Sequence, residues 1–295
     1  MNVKIARDFL LNNIACYISD EIFLKVAYRI KLGKKLNLSA PVTYTEKLQW
    51  SKLFYRKELL TLCCDKYQVR TYVENKVGSE YLIPMVGYFK DFNEINLNEI
   101  PNQCVMKGTH GSGMNHLVFD STTMNWDIVR DDFRRWLKFN QFYHSREWQY
   151  KNVPPGIIVE EMLLDESGKV PSDIKIHCFR QCDGSLTQII QLDVDRFGSH
   201  KQNYYDEQWN LLDLSFSNNN FNVKGGEKGV APPDNLEELL SLSRKLSEDF
   251  PYVRVDLFTI NNKVFFGELT FHHQSGLTKP SGDWDNKLGN LLSYS

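Results

Sequence analysis

Net charge, long apolar runs and metal-spaced cysteines are what this chain has least of. Its 295 residues carry 35 Lys and Arg against 37 Asp and Glu with no long basic stretch, which argues against a nucleic-acid partner. No segment approaches the roughly 20 apolar residues that cross a bilayer, so no membrane-spanning helix is expected. The early stretch "FLLNNIACYI" is broken by Asn12 and Asn13, and no small-residue cleavage site follows, so it does not read as a signal peptide. Of the six cysteines, Cys63 and Cys64 are adjacent, which suits neither a zinc knuckle nor a disulfide, while Cys16, Cys104, Cys178 and Cys182 sit in apolar runs. All six read as reduced core thiols of a cytoplasmic protein. Also missing are internal repeats, the P-loop pattern, the dinucleotide fingerprint and a nucleophile elbow, since "THGSGMN" around Ser112 lacks the first glycine.

The residues present describe an α+β chain. Residues 19–35 carry apolar side chains at helical spacing and predict a helix packed on the body with a solvated outer face; a membrane-surface helix is the alternative. "TYTEKLQWSKLFYRKELLTL" is amphipathic, with Thr45 as its expected N-cap, and "DKYQVRTYVENKVG" reads as a helix that stops at Gly78. Strand signals follow in "YLIPMVGYF", in "QCVMKGTHGSGMNHLVF" (strand, glycine loop, strand) and in "GIIVEEMLL", with a helical, aromatic-rich stretch over 125–149. "DIKIHCFRQCDGSLTQIIQLDVD" predicts a hairpin turning at Asp183-Gly184. A polar loop is expected from about 200 to 235, then the helix "NLEELLSLSRKLSEDF", then a hairpin, "YVRVDLFTINNKVFFGELTF", turning at Asn261-Asn262.

That last hairpin raises the chemical question. Arg254 and Asp256 share a strand face by the period-two rule, and Glu268 lies across the turn. Burying an unpaired carboxylate costs several kcal/mol, so the acids need a counter-charge: a structural salt-bridge network or magnesium with bound polyphosphate, since magnesium prefers hard oxygen ligands. The loop "KGTHGSG" lets backbone amides approach phosphate oxygens, with Lys107 able to neutralise them, although an ordinary hairpin turn has the same composition. The strand ending in Glu160 and Glu161 suits main-chain recognition of an adenine, although on its own a strand running into a charged loop explains it better. His272 and His273 point to opposite faces of a strand, so a shared zinc is not expected there.

Taken in order, "TYTEKLQWSKL", "DKYQVRTYV", "VMKGTHGSG", "REWQY", "IIVEEML", "DIKIHCF", "VDRFGSHKQNYYD" and "VRVDLF...FGELTF" resemble the TupA-like branch of the ATP-grasp superfamily over about 41–277. That branch is found in bacterial teichuronopeptide, capsule and lipopolysaccharide gene clusters. The resemblance implies an ATP-grasp fold of two α+β subdomains clasping ATP: a helical region over 1–60, an N-terminal lobe over 61–165 with the phosphate loop, and a C-terminal lobe over 166–295 with the metal site. It implies ATP and Mg2+ as cofactors. Lys66 and Lys107 would hold the phosphates, with His110, Gly111, Ser112 and Gly113 in the loop over them. Glu160, Glu161, Met162 and Leu163 would form the adenine hinge, and Asp173 would hold the ribose. Lys175 would face phosphate or acceptor, Arg254 the transferred phosphoryl group, and Asp256, Glu268 and Thr270 the magnesium. Thr270 departs from the asparagine many ATP-grasp enzymes carry there, which puts a second ion in doubt.

The implied reaction is that of a carboxylate-amine ligase acting through an acyl phosphate, joining an amino acid to a uronic acid of a surface polysaccharide precursor. Arg146, Arg196, His200 and Asn203 are the candidates for gripping that anionic acceptor, or they serve only to cap a loop and pair with acidic surface. A phosphotransferase acting on a sugar hydroxyl and a nucleotide-binding scaffold are the rival readings. No nucleic-acid partner is expected, and the protein is expected in the cytoplasm, with peripheral contact to membrane-bound assembly machinery. "DVD" at 193–195 lies on a hairpin strand, so it does not read as a glycosyltransferase metal motif.

Overall fold

The computed structural model describes residues 17–171, 173–194, 201–218, 221–222 and 230–294. Among the described residues four helices come first: α1 (Asp20–Leu32), α2 (Tyr44–Phe54), α3 (Glu58–Cys64) and α4 (Val69–Val77). Ser19 caps α1 by accepting from the Ile22 amide, and left-handed Gly33 ends it. Leu24 and Tyr28 seat α1 on the body as expected, and its solvated outer face mixes exposed Ile22, Val26 and Ile30 with Glu21, Lys25 and Arg29. The cap of α2 also differs from expectation: it is Thr43, because a capping box needs an acid three residues on, and Glu46 supplies it. Thr45 instead turns inward, its amide and hydroxyl each donating to the Asp285 carboxylate at 3.0 Å.

The first sheet has the order β1-β4-β2-β3, built from β1 (Met85–Phe89), β2 (Cys104–Gly108), β3 (Asn115–Val118) and β4 (Ile157–Glu161). Between β3 and β4 run α5 (Trp126–Trp136) and α6 (Gln141–Ser145). Val129 and Phe133 of α5 pack on Met106, Val118, Ile157 and Val159 of the sheet.

The second sheet is larger. β5 (Asp173–Arg180), β6 (Leu186–Val194) and β7 (Lys201–Tyr205) join the hairpin of β10 (Tyr252–Ile260) and β11 (Lys263–Thr270) in the order β11-β10-β5-β6-β7. The predicted 200–235 loop is therefore strand at its start, and β8 (Phe216–Asn218) and β9 (Phe221–Asn222) pair further along it. One face of this sheet rests on α3, α4 and the helix α7 (Leu236–Leu246), through Ile176, Cys178, Val253 and Val255 against Cys64, Val73 and Leu239. The turn at Asn261-Asn262 has positive φ at both residues (49° and 61°), the backbone twist that suits a two-residue hairpin. The chain closes with β12 (Lys279–Pro280) beside β8, and α8 (Trp284–Leu291) against α2. Cys63, Cys64, Cys104 and Cys178 are buried as expected, whereas Cys182 is exposed beside the 183–184 turn and Cys16 lies outside the described residues. No described helix is long and apolar enough to cross a membrane.

Candidate active site

Directly opposed residues of an antiparallel pair project to one face, so the sheet register assembles the site. Asp256 stands opposite both Lys175 and Glu268, and Arg254 opposite both His177 and Thr270. A bulge falls just after Asp256, with Gly267 as the extra residue of β11. A Cβ at Gly267 would come 2.9 Å from the Asp256 carbonyl oxygen, so the bulge that sets Glu268 against Asp256 needs glycine.

Arg254 is the hub of this face. Its Nε and Nη2 donate to the two oxygens of Asp256 at 2.7 Å each, its Nη1 meets His273 Nδ1 at 2.8 Å, and its Nη2 reaches Thr270 Oγ1 at 3.1 Å and Glu268 Oε1 at 3.4 Å. Burial, reinforced by Glu268, pushes the Asp256 carboxyl up to about 7 against the pull of Arg254. Burial opposes ionisation of Glu268 too, but Lys66 and Arg254 outweigh it and hold that carboxyl below its usual range. Two carboxylates and a hydroxyl on adjacent strands are hard oxygen donors of the kind magnesium takes, and the Glu268 side chain is still 41% exposed; among the described residues no group of three or more His, Cys, Asp or Glu side chains is arranged to hold a metal ion.

Further along the same face, Lys175 pairs with Asp173 and, at 2.6 Å, with Asp193. Asp193 also accepts from Gln191 at 3.0 Å and Gln202 at 2.8 Å. The buried groups form a chain when each donor is followed to its acceptor. Tyr44 donates to Tyr252 (2.7 Å), Tyr252 to His177 Nδ1 (3.0 Å), His177 Nε2 to Gln191 (3.0 Å), and Gln191 to Asp193. Burial, then Arg254, holds His177 neutral, with its pKa pushed down to about 3.

The smaller sheet supplies the other wall. Lys107 Nζ donates to Glu160 Oε2 at 2.7 Å, and Arg70 takes the second oxygen of Glu160 at 3.0 Å. Glu160 thus ties Lys107 to Arg70 through its side chain. Glu161, Met162 and Leu163 do border a cavity of about 250 Å3 with Lys107, Val105, Leu117 and Phe258, a largely apolar slot with one cation at its edge. Lys66 Nζ ties down the glycine loop through the Gly111 carbonyl at 2.5 Å. Burial lowers the pKa of Lys66, while Glu268, its leading opposite charge, raises it, so the lysine links loop and acid pair. Ser112 is exposed, and Gly113 has a φ of 72° that side chains rarely adopt. His110 turns away from the loop's open side, its Nε2 on the Trp136 carbonyl at 2.9 Å.

Two acceptor candidates do not reach this site. Arg146 is 1% exposed, with its Nε 3.1 Å from Asp20 and its guanidinium over the Phe23 ring, so it clamps α1 to the body. Asn203 is register partner of Leu192 and donates to Tyr205 on the helix-covered face; its neighbour Gln202, opposite Asp193, is the one that faces the site. Arg196 and His200 lie outside the described residues. Sequence reasoning missed His177, Gln191, Asp193, Gln202 and His273. Period two held the signal for the first three: His177 continues the Asp173, Lys175 parity, and Gln191 and Asp193 alternate with Ile190 and Leu192.

Two antiparallel sheets, a glycine loop, two lysines and an Arg-x-Asp/Glu charge centre are the features expected of an ATP-grasp core. A family model described as TupA-like ATPgrasp matches residues 46–293. The chain belongs to the TupA-like ATP-grasp family. No curated protein matches it. Among solved structures it is similar to D-alanine–D-alanine ligase from Helicobacter pylori, at 14% identity over 84% of this chain and 68% of that one, with a TM-score of 0.45. It is also similar to N5-carboxyaminoimidazole ribonucleotide synthetase from Thermus thermophilus (11% identity, 72% of this chain, 46% of that one, TM-score 0.40). A third is the ATP-grasp ligase PsnB complexed with a phosphomimetic variant of its minimal precursor, Mg and ADP (11%, 84%, 64%, 0.42). The chain thus spans about half the length of the synthetase, at 46%, and the family assignment rests on the sequence match alone.

Proposed function

We propose that the protein joins a carboxylate to an amine with ATP as the energy source, the carboxylate belonging to a uronic acid of a surface polysaccharide precursor and the amine to an amino acid. The observation that carries the reading is the single sheet face on which Lys175, Arg254, Asp256 and Glu268 converge, beside an apolar cavity edged by Lys107. In that cavity the adenine packs on Val105, Leu117 and Phe258, with the main chain of 161–163 along its edge. Lys107 and Lys66 neutralise the phosphates. Asp256, Glu268 and Thr270 hold magnesium, which supplies positive charge to the phosphates and to the phosphoryl group in flight. Arg254, fixed by Asp256 and His273, stabilises the same transferring charge, and fixed electrostatics of this kind supplies most of the acceleration in phosphoryl transfer. The substrate carboxylate takes the γ-phosphoryl group, ADP leaves, and the amine displaces phosphate from the acyl phosphate to give the amide. The glycine loop, held by Lys66, keeps water from that activated acyl group.

The family's occurrence in surface-polysaccharide gene clusters supports the uronic acid, and the exposed Ile22, Val26 and Ile30 of α1 support peripheral contact with a membrane-bound assembly. Calorimetric titration of ATP into the wild type and Asp256→Ala, with and without magnesium, tests the site. Magnesium-dependent binding that the variant loses is expected, followed by ADP release when uronic acids and amino acids are added together. ADP release from a neutral sugar without any amine would reject the ligase reading.

A further inference from the structure

The inner face of α2 is polar although it is buried. Thr45, Gln49 and Lys52 fall at helical spacing on that face, and all three side chains are shut away from water. A buried cation needs each of its protons placed. Lys52 places three: its Nζ donates to the Ser145 carbonyl at the end of α6 at 2.9 Å, to the Ser275 carbonyl at 2.8 Å and to the Ser275 hydroxyl at 2.7 Å. Gln49 Nε2 adds bonds of 2.9 Å each to the Ser275 and Gly276 carbonyls. Their shared target is a short turn, His273–Gly276, with three successive left-handed residues: Gln274, Ser275 and Gly276 have φ of 47°, 55° and 62°. The first two hold a conformation that a side chain disfavours, and the bonds from α2 keep them in it.

The turn begins just past Thr270, where β11 ends, and α2 grips it on both sides of His273. Ser51 meets His272 Nε2 at 3.0 Å on one side, and Lys52 and Gln49 hold Ser275 on the other. Between these anchors His273 Nδ1 meets Arg254 Nη1 at 2.8 Å. An arginine only donates, so Nδ1 accepts and Nε2 carries the hydrogen. That N–H is buried and has no hydrogen-bond partner. With one hydrogen bond and edge contacts to the His177 and Phe216 rings, at 4.8 and 4.9 Å between centroids, the imidazole depends on its backbone for placement. The backbone in turn depends on Lys52.

We propose that Lys52 is a positioning residue for phosphoryl transfer: through the left-handed turn it holds His273 against Arg254 and so fixes the guanidinium that meets the transferring charge. The inference rests on the ligase reading above and adds to it a residue from the first helices of the chain. The test is calorimetric titration, into the full chain with magnesium, of a non-hydrolysable ATP analogue and of ADP with aluminium fluoride, a mimic of the phosphoryl group in flight. Wild type should bind the mimic more tightly than the analogue. Lys52→Met should lose about tenfold in affinity for the mimic with that for the analogue unchanged. Gln274→Gly added to Lys52→Met should restore part of the loss, because glycine takes a positive φ freely. Gln49→Ala, which leaves no charge unpaired, should weaken the mimic about threefold. Leu239→Ala, a truncation in the core under the second sheet, should lower stability and leave both affinities unchanged. Mimic affinity that is unaltered in Lys52→Met and Gln49→Ala, lost equally with the analogue's, unrestored by Gln274→Gly or lost as much in Leu239→Ala overturns the inference and leaves the ligase reading in place. Wild type that binds no ATP analogue, or Arg254→Ala that keeps full affinity for the mimic, overturns both.

Discussion

On one face of the five-stranded sheet Ile176, Cys178, Val253 and Val255 lie under α7 and its neighbours; on the other, at the same depth, stand Lys175, His177, Arg254 and Asp256. The first face is stabilised by removing apolar area from water, about 25 cal/mol per Å2. The second gains little from burial, because desolvating its charges offsets their attraction, and it persists by pairing every ion and passing hydrogen bonds from Tyr44 to Asp193. Buried charge retained at such a cost marks where ligand charge is meant to enter, and perturbed acids cluster at functional sites for that reason.

If the two faces divide in this way, changes on them should separate chemistry from stability. The largest effect should come from Glu268→Ala, which removes an oxygen ligand from the polar face: ADP formation should fall by about a thousandfold with the thermal midpoint nearly unchanged, and Lys107→Ala should do the same. Near wild-type turnover in either would break the assignment. On the other face, Ile176→Ala should cost about 2–4 kcal/mol in urea unfolding while the Michaelis constant for ATP holds. A loss of ATP affinity with no loss of stability there would contradict the division.

A smaller effect concerns pH. His177 stays neutral when folded down to about 3, whereas an unfolded imidazole takes a proton below about 6.5. The unfolded state therefore binds the extra proton, and stability is lost as pH falls from 6.5, by about 1.4 kcal/mol per unit. Urea unfolding at pH 6.5 and 5.5 should show that loss in the wild type and a flatter response in His177→Gln. Smallest of all is the parity test on β7. Gln202→Ala, which removes a donor to Asp193, should lower ADP formation about fivefold, as for one hydrogen bond, and Asn203→Ala should leave it unchanged while costing about 1 kcal/mol of stability.

Much of this division could be read from the chain. The period-two spacing of Arg254 and Asp256, the Asn261-Asn262 turn and the glycine loop after Lys107 are local signals, and each marks the element that forms. Gln191 and Asp193 were equally legible by parity, yet an acid beside Arg196 invited a surface explanation. Gln202 was not legible, because the stretch "KQNYYD" lacks apolar-polar alternation strong enough to set which residue faces inward. Arg146 misled for a different reason: an arginine beside aromatic residues looks the same in sequence whether it grips a ligand or, as here, stacks on Phe23 and pairs with Asp20.

The sequence by itself determined the α+β order, the strands and turns of both hairpins, and which acids and lysines would need counter-charges, because backbone propensity and side-chain alternation act between near neighbours. Tertiary structure alone decided that Gln202 joins the site and that Asn203 and Arg146 leave it. Those outcomes depend on register and packing between segments far apart in the chain, where a shift of one residue sends a side chain to the opposite face.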